Sequence, residues 1–395
     1  MNKKNIKEVE IKGKKILMRV DFNVPLDGQG NITDDNRLRA VLPTIEYTIH
    51  QGAKIILMSH LGRPKGEVKE TMRLTPVARR LGELLNRPVK MLGDCIGPDV
   101  LETVNNMNSG DVVLLENLRF HREETQNDPE FSKQLARLGD VFVNDAFGTC
   151  HRAHASTEGI THYLESVAGF LVEKEMDYFE KINTSPEHPF VLVLGGAKVS
   201  DKIPVIENML SKVDTIIIGG AMAYTFLKQA SAQIGSSRFE DDVAGIAKAI
   251  LDKAKAKGVD IVLPIDHIVC DNVDDPIDIR TTTDENIDAG YFGVDIGPKT
   301  IDLFKKKLNE ARTIVWNGPM GIFENNVFAN GTKQMAEMIA NSSAISVVGG
   351  GDSAAAVKKF GVEGRFSHVS TGGGASLEYL EGKTLPGIAA LADKD

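Results

Sequence analysis

Short apolar runs, most of them rich in β-branched residues, recur along the whole chain and are separated by polar, glycine-containing turns. Runs of this length and composition predict strands that are buried on both faces of a sheet. The predicted strands are Ile16–Val20, Ile55–Met58, Val112–Leu115, Val141–Val143, Val191–Leu194, Thr215–Ile218, Ile261–Leu263, Thr313–Trp316, Ile345–Val348 and, as the weakest of them, His368–Ser370.

Stretches with apolar residues at helical spacing lie between many of these runs. They include Thr75–Leu85, Lys202–Leu210, Val243–Lys257 and Gln334–Ala340. Strands that alternate with helices predict parallel sheets covered by helices on both faces. More strands are predicted than one compact sheet commonly holds, so the fold class is α/β with two doubly wound, Rossmann-like parallel-sheet domains.

The junction between the two domains is visible in the sequence. Glu173–Asn183 predicts a charged helix with Met176, Phe179 and Ile182 at roughly helical spacing. The segment Thr184–Pro189 follows, and its two prolines stop any helix before the strand and helix rhythm begins again. We therefore place the junction near residues 171–189.

Composition and charge narrow the class of protein. The 395 residues are 42% apolar and 26% charged, with a formal net charge of −9, which argues against a general nucleic-acid binder. Cys95, Cys150 and Cys270 are far apart and favour neither a disulfide framework nor a structural zinc site. No signal peptide or membrane-spanning run is recognised, so a cytoplasmic protein without a membrane partner is expected.

The first half of the chain places basic residues where its predicted strands end. Because open parallel sheets bind ligands beyond the carboxyl ends of their strands, these residues predict a site for a small, highly anionic substrate. The alternative is that they are ordinary surface arginines, and a metal site built from the histidines is a further alternative, which the neighbouring arginine disfavours. The set is Arg37, His60, Arg63, Arg119, His121, Arg122, His151, Arg152 and His154.

The second half places glycines at the corresponding positions. Glycine-rich turns that open into helices hold phosphates through backbone N–H groups, although a single turn of this kind is often only a tight turn. Four such turns follow predicted strands here: Gly195–Gly196, Gly219–Gly220, Gly349–Gly351 and Gly372–Gly374. A Walker A motif, a GxGxxG fingerprint and the protein-kinase motifs were not found, so another architecture would hold a nucleotide.

Four charged residues accompany these turns. Lys198 and Lys202 are four residues apart at a strand-to-helix junction, where both can point toward one phosphate, or where both are simply solvated. Asp352 is suited to hold Mg²⁺ beside phosphate oxygens, and either it or Ser353 can cap the following helix. Glu324 can accept hydrogen bonds from a ribose, a reading that the residue alone does not decide.

Eight strings, in order from the start to the end of the chain, resemble the phosphoglycerate kinase family in its bacterial form. They begin with Arg19-Val-Asp-Phe-Asn-Val-Pro-Leu, Ser59-His-Leu-Gly-Arg-Pro, Glu116-Asn-Leu-Arg-Phe and His151-Arg-Ala-His. They continue with Gly195-Gly-Ala-Lys-Val-Ser-Asp-Lys, Trp316-Asn-Gly-Pro-Met-Gly, Gly349-Gly-Gly-Asp-Ser and Ser370-Thr-Gly-Gly-Gly-Ala-Ser.

The resemblance implies two domains facing across a cleft. Residues 1–171 would bind 3-phosphoglycerate or 1,3-bisphosphoglycerate, 172–189 would form the interdomain helix and hinge, and 190–377 would bind Mg-ADP or Mg-ATP. Residues 378–395 would pack back onto the first domain. The implied activity is reversible phosphoryl transfer from 1,3-bisphosphoglycerate to ADP, in glycolysis and gluconeogenesis, by a monomer that uses Mg²⁺ and these small molecules.

The resemblance also assigns roles to individual residues. The implied substrate contacts are Asp21, Phe22, Asn23, Arg37, His60, Leu61, Gly62, Arg63, Arg119 and Arg152. The implied nucleotide contacts are Gly195, Lys202, Gly219, Gly293, Asn317, Glu324, Gly350, Gly351, Asp352 and Ser353, with Asp352 at the metal. The groups expected around the transferred phosphoryl are Arg37, Lys198, Lys202, Gly351 and Gly373.

Two other functions compete with this interpretation. A dinucleotide-dependent dehydrogenase would use the glycine turns, but it predicts a fingerprint that is missing here. A non-enzymatic anion-binding protein with two closing lobes would account for the arginines, but not for the second set of glycine turns, the lysine pair or Asp352. Phosphoryl transfer needs alignment and charge compensation rather than a general base, and closure would exclude water from the acyl phosphate.

Overall fold

The computed structural model describes residues 2–394 and divides the chain into two compact units. The first unit extends to Asp177 and also includes the segment from Thr384 onward, whereas the second unit is Tyr178–Lys383. The chain therefore leaves the first unit, forms the whole of the second and returns to the first.

The first unit is built on a six-stranded parallel sheet in the order β3-β4-β2-β1-β5-β6. Its central strands are buried along nearly their whole length, as their continuous apolar sequences require. The strands are β1 (Lys15–Val20), β2 (Lys54–Met58), β3 (Lys90–Met91), β4 (Val112–Leu114), β5 (Val141–Asp145) and β6 (Ser166–Ala168).

Helices connect these strands and cover the sheet. The core contains Ile16, Met18 and Ile55 from the strands and Leu38 and Val77 from the first two helices. The helices are α1 (Asn36–His50), α2 (Thr75–Leu85), α3 (Pro98–Asn105), α4 (Arg122–Gln126) and α5 (Pro129–Ala136), with short 3-10 helices at Ile6–Glu8, Glu70–Met72, Leu118–Phe120, Phe147–Thr149 and Gly159–His162.

The helix α6 (Phe170–Thr184) begins in the first unit and ends in the second. Its start is fixed by side chains of the first unit, since the N–H groups of Leu171 and Val172 donate to Asp145 Oδ1 at 2.8 and 3.2 Å. The N–H of Phe170 donates to Thr44 Oγ1 at 3.1 Å. These acceptors satisfy donors that the first turn of a helix leaves without partners.

The second unit has a six-stranded parallel sheet in the order β15-β14-β13-β7-β8-β9 and a separate three-stranded antiparallel sheet in the order β11-β10-β12. The first of these contains β7 (Phe190–Leu194), β8 (Thr215–Ile218), β9 (Asp260–Val262), β13 (Thr313–Asn317), β14 (Ile345–Val348) and β15 (His368–Val369). The antiparallel sheet contains β10 (His267–Cys270), β11 (Ile279–Thr281) and β12 (Phe292–Ile296).

The helices of the second unit lie between its strands. They are α7 (Ile203–Met209), α8 (Ala223–Gln229), α9 (Ala244–Lys257), α10 (Pro298–Glu310), α11 (Asn330–Ala340), α12 (Gly351–Lys359) and α13 (Gly373–Leu380), with short 3-10 helices at Asp241–Val243, Asn326–Phe328 and Glu363–Arg365. The last helix, α14 (Pro386–Ala389), belongs to the first unit. Within residues 2–394, no helix combines the length and the apolar character that crossing a membrane requires.

The segment after Thr384 is bound to the first unit by several hydrogen bonds. The N–H of Gly387 donates to the carbonyl of Cys150 at 2.9 Å, and Asn144 Nδ2 donates to the carbonyl of Gly387 at 3.0 Å. At the other end, the N–H of Lys4 donates to the carbonyl of Ala392 at 2.8 Å. The segment therefore contacts both the carboxyl end of β5 and the start of the chain.

The fold class predicted from the sequence is confirmed, and each predicted apolar run overlaps one of the parallel strands, with end residues that differ by one position in several of them. The sequence did not reveal β3, β6 and the antiparallel sheet β10–β12. Strands β3 and β6 are very short, and β11 is exposed along its length. In β10 and β12 the apolar residues stand beside His267, Gly293 and Asp295, which leaves only brief apolar runs. The predicted helix at residues 334–340 is the second half of a longer helix, α11.

Candidate active site

At the carboxyl end of β1, an aspartate holds the first arginine of the predicted substrate site. Asp21 Oδ2 accepts a hydrogen bond from Arg37 Nη1 at 2.6 Å, and Asp21 is largely buried. Asn23 Oδ1 accepts from the N–H of Gly62 at 2.8 Å, so the β1 exit is also tied to the β2 exit. Arg37 lies in the first turn of α1, and its position is therefore defined by a buried partner rather than by solvent.

A buried arginine fixes the protonation of His60. Arg19 Nη2 lies 3.0 Å from His60 Nδ1, and because a guanidinium has only donors, Nδ1 accepts this bond. Burial and the charges of Arg19 and Arg119 lower the pKa of His60 well below its usual value, so its ring is neutral at pH 7. A neutral ring that accepts at Nδ1 carries its proton on Nε2.

The arginines predicted at the exits of β2, β4 and β5 line one pocket in the first unit. Arg63, Arg119 and Arg152 surround a volume of about 590 Å³ together with His121 and His154. Its remaining lining residues are Lys65, Gly66, Arg122, Thr125 and Gln126. The structure thus brings together basic residues that are up to 91 positions apart in the sequence (63 to 154).

The positive charges of this basic pocket repel one another. Burial, with the nearby Arg19 and Arg152, lowers the pKa of Arg119 to about 10, so it remains charged at neutral pH. Burial and the arginine charges lower the pKa of His154 to about 4. Arg119 Nε is buried and has no hydrogen-bond partner within residues 2–394. An anionic ligand would both compensate the charge and supply an acceptor.

A buried acidic residue, Glu124, lies between the pocket residues Arg122 and Thr125 in the sequence, and it was not among the predicted site residues. Glu124 accepts hydrogen bonds from Ser156 at both carboxylate oxygens, from Oγ at 2.6 Å and from N–H at 3.0 Å. Ser156 Oγ in turn accepts from Arg19 Nε at 2.9 Å. A series of hydrogen bonds therefore runs from Glu124 through Ser156 and Arg19 to His60 and supports the site. Its only signal in the sequence is a charged residue, Arg19, inside an apolar strand.

Two residues of the predicted substrate set point their side chains elsewhere. Phe22 and Leu61 are buried in the hydrophobic core of the first unit. Their backbone still borders the site, because the β2 exit forms hydrogen bonds there: Asn117 bonds both the N–H and the carbonyl of Leu61, and the carbonyl of Gly62 accepts from Arg119 Nη1 at 2.8 Å. A substrate contact from Phe22 or Leu61 would come from backbone atoms, and it stays a prediction.

In the second unit, the glycine turns meet where the strand order reverses. Successive strands extend to one side of β7 and, after β13, to its other side, which makes the β7/β13 boundary a topological switch point. The N–H of Gly195 donates to the carbonyl of Asn317 at 3.0 Å. A Cβ on Gly195 would lie 2.1 Å from the carbonyl oxygen of Pro319, so only glycine permits these two exits to pack this closely.

Two helices begin side by side next to this switch point. A Cβ added to Gly373, at the start of α13, would lie 3.1 Å from the backbone nitrogen of Gly351, at the start of α12. Helix N-termini present free N–H donors and a partial positive charge, which together suit phosphate. The prediction that Asp352 or Ser353 caps α12 is wrong, because Gly350 is the N-cap and Ser353 Oγ accepts from the N–H of Gly318 at 2.6 Å.

Lys202 points into the same space. Its ammonium group donates to Asn317 Oδ1, and burial lowers the pKa of Lys202. Asn317 Nδ2 is buried and has no partner within the described residues, so a donor is available there. The pocket has a volume of about 470 Å³. Its lining is Gly195, Gly196, Ala197, Lys198, Asp201, Lys202, Asn317, Gly318, Gly350, Gly351, Asp352, Ser353, Gly373, Gly374 and Leu377.

Three residues of the predicted nucleotide set lie outside this lining. Gly219 is buried, and a Cβ there would lie 2.3 Å from Met320 Sδ. Gly293 donates its N–H to Ser237 Oγ at 2.9 Å, and Glu324 is exposed. All three border the segment that follows β13, whose Ile322 N–H donates to β12 at 3.0 Å. A contact between a nucleotide and any of these three residues stays a prediction.

Comparison with known proteins identifies the family of this chain. The family model described as phosphoglycerate kinase matches residues 6–383. A curated phosphoglycerate kinase of Clostridium botulinum is 55% identical over 396 aligned residues, which cover 100% of this chain and 99% of that protein. The chain belongs to the phosphoglycerate kinase family.

Further relatives support the assignment over the full length of the chain. The phosphoglycerate kinase of Dictyoglomus turgidum is 54% identical over 391 residues, covering 99% of this chain and 98% of the relative. The solved structure of phosphoglycerate kinase from Coxiella burnetii matches with a TM-score of 0.88 and 39% identity, covering 98% of each chain. The chain is therefore a phosphotransferase with a carboxyl group as acceptor, and the dehydrogenase and non-enzymatic interpretations are wrong.

Proposed function

We propose that this protein transfers a phosphoryl group directly, in line, between 1,3-bisphosphoglycerate held by the first unit and ADP held by the second. The observation that supports this division is the contrast between the two sites. The first unit offers a pocket of guanidinium groups, whereas the second offers backbone N–H groups of two adjacent helix starts with a half-buried lysine, Lys202. The guanidinium groups suit the anionic groups of the glycerate substrate, and the backbone N–H groups with the lysine suit the phosphates of the nucleotide.

In the first unit, the arginines bind the glycerate and its 3-phosphate. Arg63, Arg119 and Arg152 bind the phosphate, because a guanidinium fork matches its oxygens and remains charged throughout the working pH range. His60, neutral with its proton on Nε2, donates one hydrogen bond without adding charge. Asp21 holds Arg37, which we assign to the reacting end of the substrate.

In the second unit, the phosphates of the nucleotide lie at the starts of α12 and α13. Donors at Gly351 and Gly373, together with Lys198 and Lys202, surround the transferred group and compensate the charge that its oxygens carry in the transition state. The attacking oxygen is already ionised in either direction, as a carboxylate or as an ADP phosphate. A general base is therefore not needed.

Asp352 is the residue that we assign to Mg²⁺. It is exposed, lies in the first turn of α12 and lines the phosphate pocket, so its carboxylate fits a metal that prefers one or two carboxylates together with phosphate oxygens. When bound, Mg²⁺ would compensate the negative charge of the nucleotide phosphates. The negative charge of Asp352 also favours the charged form of Lys202, which lines the same pocket.

We further propose that the two units close on their substrates about α6 and the segment up to residue 189. Helix α6 is suited to this role because it belongs to both units and its start is held by Asp145 and Thr44. Closure would exclude water, which otherwise hydrolyses an acyl phosphate. We also propose that the enzyme is monomeric and cytoplasmic. Sedimentation of the purified protein would test whether it is a monomer.

A coupled assay tests the activity, and stereochemistry tests the path. With 3-phosphoglycerate and Mg-ATP, ADP should form only when both substrates are present, and a lack of dependence on 3-phosphoglycerate would overturn the assignment. With ATP made chiral at the γ-phosphorus, direct in-line transfer inverts the configuration. Retention would instead indicate a phosphorylated enzyme intermediate and would refute direct transfer while leaving the activity in place.

A further inference from the structure

Three side chains of different chemistry converge at the carboxyl edge of the first sheet. Asp94 and Cys95 lie in the loop between β3 and α3, and His121 follows the 3-10 helix after β4. One carboxylate oxygen, the Cys95 Sγ and one ring nitrogen all lie within 4.8 Å of one another. Within residues 2–394, no other group of three histidine, cysteine or acidic side chains meets this condition.

Hydrogen bonds connect Asp94 to both of the other residues. His121 Nε2 and Asp94 Oδ1 are 2.7 Å apart, the N–H of Cys95 donates to the same oxygen at 2.6 Å, and the Cys95 Sγ lies within 4.8 Å of a carboxylate oxygen of Asp94. A ring nitrogen and a thiol sulfur therefore both lie close to one carboxylate. A cation that binds between these groups would find three ligands arranged around it.

We propose that Asp94, Cys95 and His121 form a binding site for a divalent transition metal ion such as Zn²⁺, with water as a fourth ligand. The exchange balances in atoms and charge. The metal ion enters with two positive charges, and the Cys95 thiol proton leaves to solvent as the metal–sulfur bond forms. His121 binds as a neutral imidazole through the Nε2 lone pair: an imidazolium releases its Nε2 proton to solvent, whereas a ring that starts neutral carries that proton on Nδ1 instead. Three bonds form, from the metal to sulfur, nitrogen and oxygen.

The donor set selects the class of metal. Thiolate and imidazole favour Zn²⁺ and related ions, whereas Mg²⁺ prefers oxygen ligands, so this site would not compete for the nucleotide metal. Zn²⁺ with three protein ligands and one water is the usual open coordination. Cys95 is buried, while the side chains of Asp94 and His121 are 52% and 25% exposed, which leaves access for the ion and for water.

The supporting contacts hold the ligands close to the required geometry. The carbonyl of Asp94 accepts from the N–H of Glu116 at 3.3 Å, and the His121 ring packs on the Phe131 ring with centroids 5.3 Å apart. Tetrahedral coordination with bonds near 2.0 Å separates two light ligand atoms by about 3.3 Å. The present 2.7 Å between His121 and Asp94 would therefore open by a fraction of an ångström.

This site differs from the histidine cluster considered from the sequence. His60, His151 and His154 are not part of it, and among the described residues only His121 is shared between that cluster and the three-ligand group. Because His121 also lines the basic pocket, a bound metal would fix one wall of the pocket. The proposal concerns metal binding itself and does not depend on the roles assigned to the substrate residues.

Cobalt titration of the full-length, metal-free protein is the direct test. Co²⁺ occupies zinc sites, and a cobalt–thiolate bond gives a near-ultraviolet charge-transfer band that oxygen and nitrogen ligands do not give. We expect this band at one Co²⁺ per chain, displaced by added Zn²⁺. The band should disappear in Cys95→Ser, and the affinity should fall at least about tenfold in His121→Gln and in Asp94→Asn.

Two kinds of control separate this site from its rivals. Cys150→Ser and Cys270→Ser alter the other buried cysteines and should keep the band. His162 is an exposed histidine of the same unit that lies 2.9 Å from Glu158 but forms no group with a cysteine among the described residues. The variant His162→Gln should therefore also keep the band. If Cys95→Ser fails to fold by circular dichroism, His121→Gln and Asp94→Asn carry the test. A missing band in the wild type, or a Co²⁺ affinity that is unchanged in both His121→Gln and Asp94→Asn, overturns the proposal.

Discussion

At the scale of single residues, Arg37 and Arg39 allow a direct comparison within one helix. Both lie in the first turns of α1, but Arg37 is bonded to the buried Asp21, whereas Arg39 is bonded to Asp35 and its side chain is 53% exposed. Because Arg37 is assigned to the transferred phosphoryl, Arg37→Ala should lower kcat at least about a hundredfold, comparable to the loss of one transition-state donor. Steady-state kinetics with both substrates saturating measures this.

Arg39→Ala is the matched control for that change. It removes the same charge two positions away, and kcat should stay within a factor of about two, because Arg39 forms an exposed ion pair that contributes little to stability and is not assigned to the substrate. A near-normal kcat in Arg37→Ala would remove Arg37 from the mechanism. Equal losses in both variants would instead show that the general charge of α1, and not a specific contact, is what matters.

Lys202 offers the corresponding test in the second unit. Its ammonium group is bonded to Asn317 beside the two helix starts, and burial lowers its pKa. Lys202→Ala should lower kcat by at least about a hundredfold, because a charge that acts where the transition-state charge develops is lost. Lys253→Ala is the control, since Lys253 pairs with Glu207 on the surface of the same unit. Unchanged kcat in Lys202→Ala would contradict its assignment.

At the scale of elements, a substitution at the start of α12 should change ligand binding without lowering the stability of the fold. A Cβ added to Gly351 meets no atom within 4 Å, so Gly351→Ala should leave the stability of the fold unchanged or slightly higher. The added methyl group would, however, occupy the space in front of the helix N–H groups. The dissociation constant for ADP, measured by calorimetry, should therefore rise at least about tenfold.

Gly245→Ala is the control for this prediction. Gly245 lies in the first turn of α9, also with no atom within 4 Å of an added Cβ, but it is not part of the pocket. Its substitution should not change ADP binding. Tight ADP binding by Gly351→Ala would show that the phosphates do not approach the start of α12.

The start of α6 predicts a pH dependence of stability. Burial raises the pKa of Asp145 to about 7, against about 3.9 in an unfolded chain. Between these values the folded protein keeps a proton that the unfolded chain has lost, so the contribution of Asp145 to stability decreases from about pH 4 to about pH 7. Asp145→Asn cannot titrate and keeps an oxygen acceptor for Leu171 and Val172.

The difference between variant and wild type is therefore the quantity to measure. Urea unfolding followed by circular dichroism should show Asp145→Asn gaining stability relative to the wild type as the pH rises through this window, with no further gain above about 7. Asp128→Asn, at the N-cap of α5, is the control and should show no such gain. Parallel pH profiles of Asp145→Asn and wild type would contradict the prediction.

At the scale of the whole molecule, direct transfer requires that the substrates of the two units meet. Small-angle scattering should show a smaller radius of gyration only when 3-phosphoglycerate and a non-hydrolysable ATP analogue are both present with Mg²⁺. Each ligand alone is the internal control and should give little compaction. No compaction with the ternary mixture would refute the closure proposed about α6.

The sequence predicted much of the fold because burial on both faces leaves a strong pattern. The runs at β1, β2, β7 and β8 are continuous and apolar, and each is an interior strand with a neighbour on both sides. Strand β11 is exposed and strand β3 has two residues, so neither has a pattern to detect. The basic residues and glycine turns were found for a related reason, since parallel strands place their exits on one edge.

The sequence by itself determined the α/β architecture, the residue types at the strand exits and the family to which the chain belongs. Only the tertiary structure decided which of those residues meet. Phe22 turns into the core while its neighbour Asp21 holds Arg37, and Glu124 and Ser156 come under Arg19 from more than a hundred residues away. Hydrophobic periodicity is local and can be read along the chain, whereas protonation and charge pairing depend on distances that exist only after folding.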